Sequence, residues 1–371
     1  MPTRKQEWSS QLWIGCDAVA WSRLLARNGF AVHRSRWHVA AAVSLASVFN
    51  TALGMVQRAL YGRRVAQTQV PHAPVFIIGH WRSGTTLLHE LLARDPRHAF
   101  ATTYECFAPH HFLITGSWLP RLLGWLMPGR RPVDNMAAGW DRPQEDEFAL
   151  CLLGQPSPYH RIAFPNRASA GAGALDLRGL SPPARRRWKA GFHRLVQALT
   201  LAKRGRRLVL KSPAHTCRIP TILELFPEAR FVHIVRDPYV LYPSTLHLWR
   251  VLYCVHGLQR SSWQGLPEYI LETFLHVYDR LEEGKRLIPP GHFHELRYED
   301  LVQDPVGRLE ALYRALDLGD FEPAEPHVER YLAGVKGYET NRYLLTPAEQ
   351  AAVTRRWGAV IRRYGYDVRA D

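Results

Sequence analysis

Short apolar runs alternate with amphipathic stretches along most of the chain. Each run is a few residues long and is bounded by Gly, Pro or charged residues, as in buried β-strands. The stretches between them carry apolar residues at helical spacing, for example "IPTILELF" and "LPEYILETFLHVYDRLEEG". Strands alternating with helices predict an α/β fold with a parallel sheet flanked by helices. The predicted strands are "PVFIIG" (Pro74–Gly79), "RLVLK" (Arg207–Lys211), "ARFVHIVR" (Ala229–Arg236) and "HFHELRY" (His292–Tyr298).

The first part of the chain has a different pattern. Residues 1–70 predict helices and contain no chemical motif, so we expect a helical N-terminal extension. The proline-containing segment "TQVPHAP" (Thr68–Pro74) marks its end. Residues 71–371 then form the main domain. Because ligands bind at the carboxyl ends of the strands in such sheets, functional residues are expected just after each strand.

One stretch of the extension, His38–Gln57, contains no Asp, Glu, Lys or Arg. Its length would be enough to cross a bilayer, but it is rich in Ala and Ser and includes Asn50. A helix that packs on the domain, or that lies on a membrane surface beside the basic Arg34 and Arg36, is favoured over a span. The first residues, "MPTRKQEWSSQLW", lack the apolar core of a signal peptide. The expected location is therefore the cytoplasm, with peripheral membrane contact through residues 38–57.

Composition and charge narrow the classes of partner. The 371 residues are 46% hydrophobic and 22% charged, which is typical of a globular protein with a sizeable core. The formal net charge of +15 attracts anions such as acidic glycans, anionic lipids, nucleic acid or a phosphorylated cofactor. Five scattered cysteines without CxxC pairing argue against a disulfide framework and a zinc site, and no metal is expected.

The segment "GHWRSGTT" joins the first predicted strand to a helix. The first N–H groups of a helix lack internal partners and, with the helix dipole, favour a bound anion. Gly84 allows close approach of the backbone, and Arg82 can clamp a phosphate or sulfate oxygen. The loop lacks the Gly-Lys-Ser/Thr ending that ATPases use for the terminal phosphates and Mg²⁺, which counts against phosphoryl transfer from ATP.

A second basic position follows a later strand. Arg236 ends the strand "ARFVHIVR", and Ser244 lies eight positions further on, beyond a Pro-containing turn. A guanidinium and a hydroxyl that converge on one point suit a separate phosphate group. The simpler interpretation is an Arg–Asp pair followed by a helix-capping serine.

Taken together, these motifs resemble the sulfotransferases that use 3′-phosphoadenosine 5′-phosphosulfate (PAPS). The resemblance rests on "RSGTT" after a strand, on Arg236 and Ser244 after a later strand, and on "LRYEDLVQDP" (Leu296–Pro305). It runs from about Pro74 to Asp371 and is strongest to the broad bacterial group, with similarity to the tyrosylprotein branch, whose loop also begins with arginine.

The resemblance implies a role for each matching residue. The 5′-phosphosulfate would be bound by the loop, the 3′-phosphate by Arg236 and Ser244, and the adenine would pack near Tyr298. Lys336 and Arg342 offer only a weak match to the late basic loop of the family. The loop residues implied to bind the phosphosulfate are Arg82, Ser83, Gly84, Thr85 and Thr86.

The resemblance implies transfer of the sulfuryl group from PAPS to a hydroxyl or amine of the acceptor by in-line displacement, which needs cations and a general base. Arg82 and Lys211, the latter at a strand end, are the candidates for stabilising charge on the leaving phosphate. For the base, Glu105 in "TTYECF" matches the glutamate of the tyrosylprotein branch, and His215 in "KSPAH" lies near the histidine of the cytosolic branch. The acidic run "RPQEDEF" adds Glu145 and Glu147. Each of these also has a structural interpretation, as an ion pair, a cap or a charged first helical turn.

Two other functions would account for parts of the sequence. The alternative enzyme is a nucleotide-dependent kinase on a P-loop-like fold. The absence of the Gly-Lys-Ser/Thr ending from the loop of this chain counts against it. A nucleic-acid-binding protein would place its basic residues in one dense patch, whereas here only "PPARRRWKAGFHR" is dense. No nucleic-acid partner is therefore expected. The acceptor is a small molecule, a glycan or a lipid, and the sequence does not define the oligomeric state.

Overall fold

The computed structural model describes residues 11–124, 138–167, 171, 173–335 and 343–369. Contacts divide the chain into two compact units, each assembled from separate segments. Residues 1–70 fall within the first unit, and residues 71–371 supply segments to both. The first unit comprises Met1–His72, Phe100–Arg206 and Trp249–Gln264, and the second comprises Ala73–Ala99, Arg207–Leu248 and Gly265–Asp371.

The sheet has five strands in the order β2-β3-β1-β4-β5. Central β1 runs parallel to β3 on one side and to β4 on the other, and β4 runs parallel to β5. The strand order therefore reverses at β1, and such a switch point opens a crevice at the carboxyl ends of the strands. The strands are β1 (Val75–Ile78), β2 (His98–Phe100), β3 (Arg207–Lys211), β4 (Arg230–Val235) and β5 (Phe293–Arg297).

The α/β prediction is confirmed, and each of the four predicted strands is present. The sequence did not indicate β2, because three residues are too short for an alternating or continuous apolar pattern.

Sixteen α-helices lie within the described residues, including the two whose sequences were quoted above. They are α1 (Ala18–Arg27), α2 (Trp37–Gln67), α3 (Thr85–Leu92), α4 (Thr103–Phe107), α5 (Phe112–Thr115), α6 (Leu119–Leu122), α7 (Asp146–Leu152), α8 (His160–Ala163), α9 (Pro182–Ala202), α10 (Ile219–Leu225), α11 (Pro238–His256), α12 (Leu266–Lys285), α13 (Tyr298–Gln303), α14 (Pro305–Leu316), α15 (Glu325–Gly334) and α16 (Pro347–Arg363). In the same described part of the chain, three 3₁₀ turns span Leu12–Gly15, Arg34–Arg36 and Pro213–Cys217.

The core of the second unit explains why β1 reads as a continuous apolar run. All four of its residues are buried, since helices cover both faces of a parallel sheet. On one face, Val75 and Ile77 belong to a buried cluster with side chains of α3 and α14, such as Leu88 and Leu312. This packing holds the carboxyl end of β1 in place, and the next loop starts there.

In the first unit, α2 is fixed by polar contacts along its buried side. Asn50 Nδ2 donates hydrogen bonds to the carbonyl oxygens of Ile14 (2.6 Å) and Cys16 (2.9 Å). The indole N–H of Trp21 donates to Ser44 Oγ at 2.9 Å. The uncharged stretch predicted at residues 38–57 is therefore a helix that packs on its own unit with one side.

Candidate active site

The loop between β1 and α3, residues 79–84, is shaped by three residues with positive φ. They are Gly79 (146°), Arg82 (70°) and Gly84 (104°). A Cβ atom on Gly79 would lie 2.6 Å from the carbonyl oxygen of Ile234, and one on Gly84 would lie 2.3 Å from the ring of Tyr298. Both positions therefore require glycine, both for conformation and for space.

This loop presents polar groups without internal partners at the start of α3. Gly84 is the N-cap and supplies no side-chain hydrogen bond to the first turn, which begins with Thr85 and Thr86. Ser83 is fully buried, and its Oγ has no hydrogen-bond partner within the residues that the structure describes. A buried hydroxyl in this condition is costly unless a ligand oxygen completes it. The arrangement suits an anion at the helix start.

Arg82 connects this loop to the later basic position. Its Nε donates a hydrogen bond of 2.9 Å to Ser244 Oγ on α11. The guanidinium of Arg236 donates to the backbone carbonyl of Arg82 at 3.2 Å. Arg82, Arg236 and Ser244 therefore meet in one place, although they come from separate parts of the sequence.

Tyr298 completes the group. Its ring lies beneath the guanidinium of Arg236, with 4.2 Å between Cζ and the ring centroid, and it is the ring that excludes a side chain at Gly84. An aromatic face beside an arginine is suited to a flat base next to a phosphate. The structure thus brings together the residues predicted for the two phosphate ends and for the adenine.

The end of β3 lies next to β1 in the same sheet. Lys211 pairs in register with Ile77 and is 1% exposed. The 3₁₀ turn Pro213–Cys217 follows, and Thr216 Oγ1 in it accepts the Gly79 N–H at 2.8 Å and donates to the Gly79 carbonyl at 3.1 Å. This pair of bonds fastens the turn to the start of the loop.

The buried ammonium group of Lys211 influences the pKa of a neighbouring histidine. Burial lowers the pKa of His89 to about 3, and the positive charge of Lys211 adds to that effect. His89 Nε2 lies 3.2 Å from the Val209 carbonyl. A buried cation at this strand end fits a role in stabilising negative charge.

His215 is placed less favourably for direct chemistry. It is fully buried in the 3₁₀ turn, and its ring packs edge-on against Phe76 of β1 with 5.5 Å between centroids. A general base has to reach the acceptor oxygen. A fully buried ring that packs against Phe76 also suits a histidine with a structural role.

Sequence reasoning missed Thr216 and Arg218. Thr216 makes the two bonds to Gly79, and Arg218 is fully buried at the N-cap of α10. Both lie in "SPAHTCR", directly after Lys211. A polar, positively charged segment just after a strand could have indicated them.

Glu105, the first candidate for the base, belongs to the first unit and has two partners. Its Oε2 accepts the Thr102 N–H at 2.8 Å in a capping box at the start of α4. Its Oε1 lies 2.7 Å from Lys203 Nζ. To take a proton from an acceptor, the carboxylate would have to release one of these partners.

The acidic run is also in the first unit, at the start of α7. Glu145 is the N-cap residue, and its carboxylate accepts a short hydrogen bond from the Tyr159 hydroxyl. Asp146 and Glu147 are fully buried in the first turn, where negative charge is favoured by the helix dipole. Lys336 and Arg342, the weakly matched basic residues, lie outside the described residues. Within the described part of the chain, no group of three or more His, Cys, Asp or Glu side chains forms a metal site.

A comparison with protein families decides the identity. The model of the sulfotransferase family matches residues 74–323, which covers β1 through α14 and contains the loop, Lys211, Arg236 and Ser244. This chain belongs to the sulfotransferase family.

Curated sulfotransferases resemble the chain along nearly its whole length. It is 49% identical over 365 residues to the omega-hydroxy-beta-dihydromenaquinone-9 sulfotransferase Stf3 of Mycobacterium bovis, covering 98% of this chain and 94% of the relative. The protein of the same name from Mycobacterium tuberculosis matches with the same identity and coverage.

Two solved sulfotransferases share the fold. STF9 from Mycobacterium avium aligns with a TM-score of 0.69 at 19% identity, covering 96% of this chain and 98% of that one. STF1 from Mycobacterium tuberculosis H37Rv aligns with a TM-score of 0.61 at 18% identity, with coverages of 93% and 94%. The sulfotransferase resemblance seen in the sequence is confirmed, the enzyme is a sulfotransferase, and the kinase alternative is not favoured.

Proposed function

We propose that this sulfotransferase uses PAPS as donor, held by the residues that meet around Arg82. The carrying observation is the convergence of Arg236 and Ser244 on Arg82, through bonds of 3.2 and 2.9 Å. In the donor complex, Arg236 and Ser244 bind the 3′-phosphate, and the Tyr298 ring packs near the adenine. This phosphate distinguishes PAPS from ATP-like nucleotides, so two dedicated groups for it favour the sulfuryl donor.

The loop of residues 79–84 and the start of α3 bind the 5′-phosphosulfate. PAPS supplies an activated sulfuryl group on a phosphate that leaves with negative charge. The N–H groups of Thr85 and Thr86 and the hydroxyl of Ser83 donate to its oxygens. Lys211 and Arg82 offset the charge that develops on the leaving phosphate. In the in-line displacement, the acceptor oxygen forms a bond to sulfur, the sulfur–phosphate oxygen bond breaks, and a base takes the acceptor proton.

The acceptor is the terminal hydroxyl of a hydroxylated, menaquinone-type lipid. This assignment follows the name of the two curated relatives, which are 49% identical over 98% of this chain. It also fits the expected lipid acceptor class and the apolar helix α2. Such an acceptor would reach a cytoplasmic enzyme from a membrane surface.

For the general base, we retain Glu105 as the first candidate and His215 as the second, with Glu145 and Glu147 next. Glu105 already has Thr102 and Lys203 as partners. Its role as base therefore requires that substrate binding frees one carboxylate oxygen, and the Glu105 experiment in the Discussion tests this requirement.

Titration calorimetry with 3′,5′-adenosine bisphosphate tests the donor assignment. Binding should be tight, and it should weaken by about tenfold to a hundredfold with adenosine 5′-monophosphate, which lacks the charge-assisted bonds of the 3′-phosphate. Equal affinity for the two nucleotides would reject PAPS as donor, and magnesium-dependent ATP binding would restore the kinase alternative. Mass spectrometry of the products formed when the enzyme is incubated with PAPS and ω-hydroxylated menaquinone tests the acceptor. Menaquinone without the ω-hydroxyl group is the control.

A further inference from the structure

Helix α2 exposes a row of large apolar side chains that no described residue covers. Leu45 is 76% exposed and Trp37 is 66% exposed, and all members of the row are more than half exposed. At 100° per residue they fall within an arc of about 140°, which is one side of the helix. We call this row the apolar face of α2, and it consists of Trp37, Leu45, Val48, Phe49, Met55 and Leu60.

The opposite side of α2 is held by its own unit. Val39, Val43 and Ser47 are buried there, and Asn50 donates its two hydrogen bonds to the backbone. Thr51 Oγ1 accepts the Ala18 N–H at 2.9 Å. By length and composition the helix could cross a membrane. Crossing would break these bonds and place Asn50 in hydrocarbon, so the helix is built to lie along a surface.

Positive charge borders the apolar face. Residues 11–72 include seven arginines and a single acidic residue, Asp17. No charged residue occurs from Trp37 to Gln57, whereas exposed Arg34 precedes the helix and exposed Arg58 follows the uncharged stretch. An apolar face bordered by arginines is complementary to a bilayer with anionic headgroups.

The turn before α2 adds an exposed aromatic residue. Phe30 is 65% exposed and has a φ of 52°, a conformation that is costly for a bulky residue. With Trp37 at the first position of α2, it provides the aromatic side chains that favour a membrane–water interface.

We propose that the apolar face of α2, with Phe30 and the bordering arginines, binds the surface of an anionic lipid bilayer without crossing it. Bound in this way, the enzyme would take its acceptor directly from the membrane. That purpose rests on the proposed lipid acceptor, whereas the binding itself does not.

Co-sedimentation with vesicles tests the proposal on the full chain without donor or acceptor. The vesicles contain phosphatidylcholine alone or with phosphatidylglycerol. The unchanged protein should bind the anionic vesicles, and Leu45→Glu/Val48→Glu should weaken that binding by about tenfold or more, because two apolar contacts are replaced by charges that anionic lipid repels. Leu287→Glu/Val302→Glu, at two exposed apolar positions of the second unit, is the matched control and should bind as the unchanged protein does. Equal binding by all three proteins, or no binding by the unchanged protein, would overturn the proposal.

A second variant tests the charges. Arg58→Gln/Arg63→Gln should lower binding to anionic vesicles and make it less dependent on salt, while any weak binding to phosphatidylcholine stays the same. If the salt dependence of vesicle binding were unaltered in this variant, the proposed contribution of the bordering arginines would be contradicted. Far-UV circular dichroism and urea unfolding of each variant check that it is folded. Binding of 3′,5′-adenosine bisphosphate reports on the donor proposal separately from the vesicle result.

Two alternatives to surface binding, a helix that crosses the bilayer and a second copy of the chain on this face, predict different results. Vesicle-bound protein that resists extraction at alkaline pH would indicate a crossing helix and overturn surface binding. A dimer in analytical ultracentrifugation that Leu45→Glu/Val48→Glu dissociates, together with absent vesicle binding, would assign the face to a second copy of the chain. Release at alkaline pH and unchanged sedimentation of the variant support the bilayer.

Discussion

The side chain of Arg82 reaches Ser244 through a hydrogen bond of 2.9 Å from Nε to Oγ. Arg82 lies in the loop at the end of β1, and Ser244 lies on α11 after β4, so the bond joins two strand ends across the switch point of the sheet. Ser244 is 3% exposed, which shields the bond from water. The two predicted phosphate sites are therefore physically connected through these side chains.

Replacing Ser244 by alanine should weaken the binding of 3′,5′-adenosine bisphosphate. A hydrogen bond to a charged group contributes about 1.5–3 kcal/mol, which corresponds to roughly tenfold to a hundredfold in affinity. Affinity for adenosine 5′-monophosphate should stay nearly constant, because that nucleotide has no 3′-phosphate. Calorimetry with both nucleotides provides the comparison, and a parallel loss for both would remove Ser244 from the 3′-phosphate site.

Replacing Arg236 by alanine should raise the KM for PAPS far more than the KM for the acceptor. The substitution removes both a cation and the bond to the Arg82 carbonyl. Arg236→Lys keeps the charge without the planar fork and should recover part of the loss. Initial rates measured against each substrate in turn decide the matter, and similar increases in both constants would contradict the assignment.

Glu105 and Lys203 form a pair that separates a catalytic role from a structural one. If Glu105 is the general base, Glu105→Gln should reduce kcat per folded molecule by about a hundredfold or more, while donor affinity changes little. Lys203→Met should keep most of the activity, since it leaves the carboxylate in place.

The structural role leads to a different pattern for the same two variants. Both would lose similar free energy of unfolding, the double variant would lose little more, and kcat per folded molecule would be retained. Urea unfolding and single-turnover rates for the three variants distinguish the patterns. The structural pattern would make His215 or the acidic run the next candidate for the general base. His215→Asn and Glu145→Gln would then test these candidates.

Gly84→Ala should impair both the fold of the loop and donor binding. The new Cβ would lie 2.3 Å from the Tyr298 ring, at a φ of 104° that alanine disfavours. Strain and overpacking together should cost roughly 2–5 kcal/mol of unfolding free energy. Gly291→Ala is the matched control, because Gly291 also has a positive φ of 77° but no atom within 4 Å of the added Cβ. Comparable losses in the two variants would show that the Tyr298 contact adds nothing.

The stability of the enzyme should fall in mild acid. Burial lowers the pKa of His89 to about 3 and that of His80 to about 4, against about 6.5 in an unfolded chain. Between these values the unfolded chain binds protons that the folded protein does not, so stability is complete above pH 6.5 and declines as the pH falls towards 4. Each histidine contributes up to about 1.4 kcal/mol per pH unit. Urea unfolding from pH 7.5 to 5 should show a smaller decline for His89→Gln than for the exposed-site control His38→Gln, and parallel curves would refute the link.

Patterns of apolar residues were sufficient to predict the sheet where strands are long and fully buried. Val75–Ile78 is a continuous apolar segment, and Arg230–Val235 is buried from its second residue onward with His233 as its one polar side chain there, because helices cover both faces of the sheet. The strand His98–Phe100 was missed because three residues carry no period. The two-unit division was also not visible in the sequence, since it joins segments that are far apart in the chain, such as residues 1–72 and 249–264.

The candidate donor residues could be chosen from the sequence because loops and strand ends carry recognisable motifs, and the structure brings Arg82, Arg236 and Ser244 together. What the sequence could not supply were the partners, which depend on three-dimensional proximity. The pairing of Glu105 with Lys203 and the bonds of Thr216 to Gly79 join positions far apart in sequence. The backbone twist at Arg82 could not be foreseen either, because a positive φ is uncommon for residues other than glycine.

Arg82 is held at both its ends: its carbonyl oxygen accepts from Arg236, and its side chain donates to Ser244. In the proposed donor complex, the nucleotide would compete for the side-chain bond, and the main-chain bond would remain. A loop anchored at two points has little conformational freedom left to lose, so the proposed donor would spend little binding energy on ordering it. Under this donor assignment, release of the spent nucleotide would require an exchange of hydrogen-bond partners at Arg82 and no refolding of its backbone.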